Sequence, residues 1–208
     1  MIERVFRKFY NTSVVRTAKK QGMKVGKNVR FLGSHNFGSE PFLIEIGDNV
    51  TVSSDVTFVN HDGGTAVFKR LYAPRFDHVL KFGKIIIHDN CFIGTGTIIM
   101  PGVEIGPNAV VGAGSIVTKD VKPETVVAGT PIREICTLEE YSIKSEKSCF
   151  NYNQENYRRN KRDELVKVFS NDMKKTHINY VLVFKNVKKL EVKKWLNSEN
   201  KICGILLL

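Results

Sequence analysis

Five histidines stand in the chain, and His61 opens a polar segment unlike its surroundings, NHDGGTAVFKRLYAPRFDHVLKFGK, residues 60 to 84. A neutral imidazole, with an ordinary pKa of about 6.5, can take the proton of a hydroxyl or amine as that group attacks. His61 follows an apolar hexad directly, so from position alone it is either such a base or a loop histidine that caps a strand. His78, preceded by Asp77, competes for the role. Asp62 either orients an imidazole or contacts a substrate, although a neighbour on extended backbone points the other way. Lys69, Arg70, Arg75 and Asp77, with Phe68, Tyr72 and Phe76, form a set suited to a polyol, whose hydroxyls pair with charged groups and whose rings stack on aromatics. The basic cluster also admits an anionic sugar or glycan. Asp62, Arg75, Asp77 and His78 are therefore the acceptor-binding candidates. His88 stands where other hexads carry glycine and reads as a surface structural residue, while His35 and His177 have no supporting context.

No metal centre is expected. Cys91, Cys136, Cys149 and Cys203 form no CxxC pair and lie near no histidine cluster, so they read as reduced thiols of a cytoplasmic protein. The glycine-rich stretches are not followed by GK[ST] or set in a strand-loop-helix pattern, which excludes a P-loop and a dinucleotide fold.

The elements that must position these groups are set by a six-residue repeat. Ile87, Ile93, Ile99, Ile105, Val111 and Val117 stand six apart, and a second register of small or apolar residues, Cys91, Thr97, Val103, Ala109, Ser115 and Val121, runs beside them. Ile46, Val52 and Phe58, with Val50 and Val56, repeat the pattern earlier, and Val25-Gly26 with Val29 reads as a first turn. Neither a helix of 3.6 residues per turn nor strand alternation explains a period of six. Three hexads close an 18-residue triangular coil if each supplies a short strand and a corner, the aliphatics stacking inward about 4.8 Å apart. Gly47-Asp48-Asn49 and Gly106-Pro107-Asn108 read as corners, with the glycine supplying angles that a Cβ resists. The repeat stops between Phe58 and Ile85, and a loop insertion over residues 59–84 projects from the coil; an insertion this long in a compact domain is usually functional.

The segment VGAGSIVTKDV at residues 111 to 121, followed by VVAGTPIR at 126 to 133, resembles the hexapeptide-repeat acyltransferases, most closely the galactoside, maltose and capsular or lipopolysaccharide sugar O-acetyltransferases. The resemblance runs from Val25 to Arg133. It implies a mainly β fold, a left-handed parallel β-helix, and a homotrimer with active sites between subunits. It places the family's catalytic histidine at His61, and the coenzyme A contacts at Thr95, Ala113, Thr118, Lys119 and Arg133. It implies direct transfer from acetyl-CoA to a sugar or glycan hydroxyl, as in polysaccharide biosynthesis. An N-acetyltransferase on an amino sugar or xenobiotic and a non-catalytic β-helix scaffold are the alternatives. A zinc enzyme of the carbonic anhydrase type would need three histidines with a close HxxxxH pair, which His61, His78 and His88 do not form. For the pantetheine arm, strand-edge amides of the flat faces are the expected partners.

The net charge of +11 is uneven: residues 1 to 30 carry nine Lys and Arg against one acid, and 145 to 208 carry 14 against 7. Without aromatic interleaving or a nucleic-acid motif these ends read as solvated helix faces, with peripheral contact to an anionic membrane surface as the alternative. No secretory signal is read at the N-terminus. The expected organisation is a basic helical cap over residues 1–24, the β-helix over 25–135, and a basic extension over 136–208. In that extension helices over 137–147 and 153–169 precede a strand at 180–184, and ILLL stands at 205–208.

Overall fold

A computed structural model of the chain describes residues 12–170; the strand expected at 180–184, the ILLL segment and the first eleven residues of the cap lie outside the described residues. Two compact units divide the chain, the first running to Ile143 and the second beginning at Lys144.

The first unit is a coil of short strands on three faces. One face stacks Lys24–Val25, Ile44–Ile46, Ile85–Ile87 and Glu104–Ile105, and a second stacks Arg30–Phe31, Thr51–Val52, Phe92–Ile93, Val110–Val111 and Thr125–Ala128. His35–Asn36, Val56–Phe58, Ile98–Ile99 and Ile116–Val117 form the third. Neighbours within each of these stacks are parallel. Pairing runs from Lys24 to Glu45, Glu45 to Ile86, Ile86 to Glu104 and Val110 to Val126, so successive coils are offset by 21, 41, 18 and 16 residues. The ideal 18 occurs between the third and fourth coils. The others are edited, above all by the insertion at 59–84.

The repeat produces this shape because its two registers fill the interior. Ile87, Ile93, Ile99, Ile105, Val111 and Val117 are at most 1% exposed, and the smaller register from Cys91 to Val121 is at most 4% exposed. Polar members of the smaller register are satisfied locally, Thr97 Oγ1 donating to Gly94 O at 2.8 Å and Ser115 Oγ to Gly112 O at 2.7 Å. Burying a hydroxyl without such a partner would cost stability.

At the corners the two jobs assigned to glycine are divided. In Gly47-Asp48-Asn49 and Gly106-Pro107-Asn108 the positive φ belongs to the asparagines, at 58° in both cases. Glycine is required instead by the next coil: a Cβ on Gly106 would lie 2.6 Å from Pro123 N, and one on Gly94 would strike the amide of Ala113. Side chains also bind coil to coil at the corners, Asp89 Oδ1 accepting from Asp48 N at 2.7 Å and Asn90 Nδ2 donating to Asn108 Oδ1 at 2.7 Å.

Both ends of the prism are covered. Helical residues 12–20 lay Val14, Val15 and Ala18 against the core. The helix stops where Gly22 turns to a φ of 104°, with Gly22 N donating to Lys19 O and Met23 N to Ala18 O, the paired bonds of a Schellman cap. At the other end an unforeseen strand, Arg133–Thr137, pairs antiparallel with Thr125–Ala128 across a register shift. Thr137 then caps the helix Leu138–Ser148: its Oγ1 accepts from Glu140 N at 3.1 Å while Glu140 Oε2 accepts from Thr137 N at 3.0 Å. In the second unit the single helix expected over 153–169 is two, Gln154–Arg159 and residues 161–170. Asn160 leaves helical geometry and its carbonyl accepts from Glu164 N, so this residue ends one helix and starts the next.

The first coil buries an unusual group. His35 lies edge-on to Phe31 at 5.4 Å and near Phe37 at 5.9 Å, and neither ring nitrogen has a partner among the described residues. Desolvation pushes its pKa down to about 4, against a smaller opposing pull from Asp55.

Two stability measurements follow from this core. Ile99→Ala should lower the unfolding free energy by about 2–5 kcal/mol in denaturant titration, whereas Val166→Ala, at a position 60% exposed, should change it by about 0.5 kcal/mol or less; equal effects would contradict the inward column. Because folded His35 protonates later than the unfolded chain, it removes stability as pH falls from 6.5 toward about 4. His35→Leu should flatten that part of a Tm-against-pH curve, and an unchanged slope would show that the imidazole is not buried neutral.

Candidate active site

The insertion leaves the coil at the corner between the third and first faces, and its two ends are zipped together. Gly83 N donates to Asn60 O at 2.9 Å, Asp62 N to Lys81 O at 2.9 Å, and His61 pairs antiparallel with Phe82. Lys81 Nζ meets Asp62 Oδ2 at 2.9 Å across the same stem. Gly83 lets this stem press on the next coil, since a Cβ there would strike Gly102 N and approach Pro101 C to 2.6 Å. Beyond the stem the expected loop contains a helix, Thr65–Leu71. Asp62 prepares its start, with Oδ1 accepting from Gly64 N at 2.9 Å and its carbonyl accepting from Thr65 Oγ1 at 3.2 Å.

His61 is therefore fixed by backbone on both sides, and its ring is fixed by a residue that the sequence reading did not single out. Glu40 Oε2 lies 2.9 Å from His61 Nδ1. The hydrogen bond from His61 holds the Glu40 carboxyl below the usual carboxylate range, with a smaller contribution from Ser39. An ionised carboxylate only accepts, so Nδ1 carries the hydrogen and Nε2 keeps its lone pair. Glu40 precedes His61 by 21 residues, the offset between the first and second coils. The signal was present in the sequence, but it becomes readable only when those coils are aligned.

The other loop candidates are spread along the insertion. Asp62 is spent on Lys81 and Gly64 and does not hold the imidazole. The Arg75 guanidinium lies over the Phe76 ring at 4.9 Å, and Asp77 and His78 are exposed. His88, as expected of a surface structural residue, faces Glu104, with Nε2 3.5 Å from Oε2.

The coenzyme candidates flank the third face. Thr95 and Ala113 occupy one corner of successive coils, where Thr95 Oγ1 lies 2.7 Å from Ser53 Oγ and Gly114 N donates to Thr95 O at 2.7 Å. Thr118 and Lys119 follow the last strand of that face at its other edge, both exposed. Arg133 begins the antiparallel strand, exposed, beyond a turn in which Gly129 O accepts from Ile116 N at 3.0 Å. The amides expected to receive a pantetheine arm are committed elsewhere: Ile98 N donates to Ser115 O and Ile116 N to Gly129 O, along the coil axis. What stays accessible is the corners, where a Cβ on Gly96 or Gly114 would meet open space. Lys119 and Arg133 are exposed cations near these corners.

Comparison with known proteins agrees with this architecture. Residues 84–119 match the family described as bacterial transferase hexapeptide (six repeats). Protein CapG of Staphylococcus aureus is 44% identical over 128 residues, which cover 61% of this chain and 72% of CapG. A galactoside O-acetyltransferase of Lactococcus lactis is 52% identical over 111 residues, 51% of each chain, so here the match spans about half of the relative. Among solved structures, a maltose O-acetyltransferase from Clostridium difficile 630 aligns with 26% identity and a TM-score of 0.45 over 64% of this chain and 87% of that one. On its repeat and on the extent of the CapG match, the chain belongs to the hexapeptide-repeat acyltransferases, with their mainly β, left-handed parallel helical fold.

Proposed function

We propose that the chain is an acetyl-CoA-dependent O-acetyltransferase that acylates a sugar or glycan hydroxyl, with His61 as general base and Glu40 as its positioning residue. The observation that carries this reading is the 2.9 Å contact of Glu40 with His61 Nδ1 at the zipped stem of the insertion. It leaves Nε2 as the basic nitrogen of a ring that is half exposed, at 44%. The kinship with galactoside O-acetyltransferases supports a hydroxyl acceptor.

In this mechanism the acceptor hydroxyl gives its proton to His61 Nε2 as its oxygen attacks the thioester carbonyl. The carbonyl reforms as the C–S bond breaks, and the departing thiolate takes the proton back from the imidazolium. No covalent enzyme intermediate is needed, because a thiolate leaves readily. Glu40 supports the step twice, by fixing the tautomer and by stabilising the transient imidazolium. Thr95, Ala113, Thr118, Lys119 and Arg133 hold the coenzyme, the last two at its phosphates. Asp62 acts through the stem that it clamps with Lys81, and Arg75, Asp77 and His78 meet the acceptor from the outer loop. The exposed Val67, Leu71, Tyr72, Leu80 and Phe82 of the insertion fit contact with a neighbouring subunit in a homotrimer.

Thiol release from acetyl-CoA with a sugar panel tests the assignment. His61→Ala should cut kcat by about 10² to 10⁴ with the KM for acetyl-CoA unchanged; unchanged turnover would remove His61 from the chemistry. Glu40 has a carboxyl held below the usual carboxylate range by its hydrogen bond with His61, so it loses its charge only as pH falls through that depressed value. Glu40→Gln should lower kcat less than His61→Ala and leave the KM for acetyl-CoA unchanged, because an amide can no longer stabilise the transient imidazolium. Glu40→Asp should restore part of the rate, and an unchanged kcat in Glu40→Gln would refute the positioning role.

A further inference from the structure

We infer that the groove between helical residues 12–20 and the first coil is a subsite for an uncharged, hydroxyl-rich ring of the acceptor; this rests on the sugar-acceptor reading above and extends it. The groove encloses about 410 Å³, within the range of small-molecule sites. Ser13, Thr17, Gln21 and Asn36 supply hydroxyls and carboxamides, and Val14 and Phe37 supply apolar wall. Among the described residues none of its lining side chains is an acid, a lysine or an arginine, although the chain carries a net charge of +11. Its histidine, His35, is held neutral by burial. A phosphate or carboxylate entering here would lose water and find no cation among the described lining residues, whereas a neutral polyol exchanges its hydration for hydroxyl and amide partners.

Position joins the groove to the chemistry. One lip is formed by Gly38 and Pro41, the turn that carries Glu40 beneath His61. This turn is where the first coil exceeds the ideal 18 residues, its offset being 21; the extra residues include the 3-10 segment Pro41–Leu43. Glu40 does not line the groove, but its negative charge on the same turn also disfavours an anionic ring. The groove and the base are thus joined through one turn, whose Gly38 and Pro41 line the groove and whose Glu40 contacts His61.

The test measures binding and transfer separately on the full chain, with methyl β-galactoside and its 6-carboxylate analogue as probes. Saturation-transfer NMR should detect the neutral glycoside and give a markedly weaker signal for the carboxylate. Asn36→Leu and Thr17→Val should each weaken glycoside binding and raise its KM by about 3- to 10-fold, with the KM for acetyl-CoA unchanged. Thr17 is an exposed helix position, so its variant still reports if Asn36→Leu unfolds through loss of the bond from Gly38 N. Equal binding of the carboxylate, or acceptor KM values unmoved in the folded variants, would overturn the inference. His61-dependent transfer to sugars that is indifferent to both variants would leave the proposed activity standing and remove the groove from it. Glycoside binding that depends on Thr17 without any transfer would remove the acceptor role and the inference with it.

Discussion

The molecule depends on one repeated contact, an aliphatic side chain lying on its counterpart one coil below. Ile87 over Ile46, Ile105 over Ile87 and Ile99 over Phe58 are such pairs, and the side chains are almost wholly withdrawn from water. Each contact supplies apolar burial and also fixes register, because a strand that slipped by one residue would turn its aliphatic outward. With register fixed, the corner residues fall into columns. The positions of Thr95 and Ala113, or of Glu40 and His61, are thus consequences of the core rather than of local loop preferences.

This explains which features could be read along the chain. The hexads from Ile87 to Val121 carry their period openly, and the structure follows them residue by residue. Departures from the period were harder to read, because an offset of 21 or 16 is invisible until strands are paired. Glu40 was missed for that reason: nothing near Ser39-Glu40-Pro41 marks a partner for an imidazole twenty-one residues away. The corner glycines were recognised for the wrong cause, since the clash that selects Gly94 lies on the next coil, with Ala113. The helix in the insertion was hidden behind Gly63-Gly64, a pair that reads as a breaker but here takes its order from Asp62.

The electrostatics of the site are spare. Glu40 and Asp62, before and after His61 in sequence, are both ionised below the usual carboxylate range, the first through His61 and the second chiefly through Lys81. Glu40 is committed to the ring of His61 and Asp62 to Lys81 and Gly64, so one carboxylate orients the imidazole and the other holds the stem. Since these pairs are substantially exposed, water and salt screen them, and their value lies in geometry more than in stability.

The strand Arg133–Thr137 has a consequence for how copies of this chain coexist in solution. A stack of parallel strands ends in a row of open backbone groups, which in principle invites the bottom of another prism to continue the ladder head to tail. Here the last rung runs in the opposite direction, is shifted in register between Val126 and Val127, and carries Arg133 and Glu134. An incoming first coil would meet mismatched polarity and charge. The ladder of the second face is thereby closed to continuation by a parallel strand.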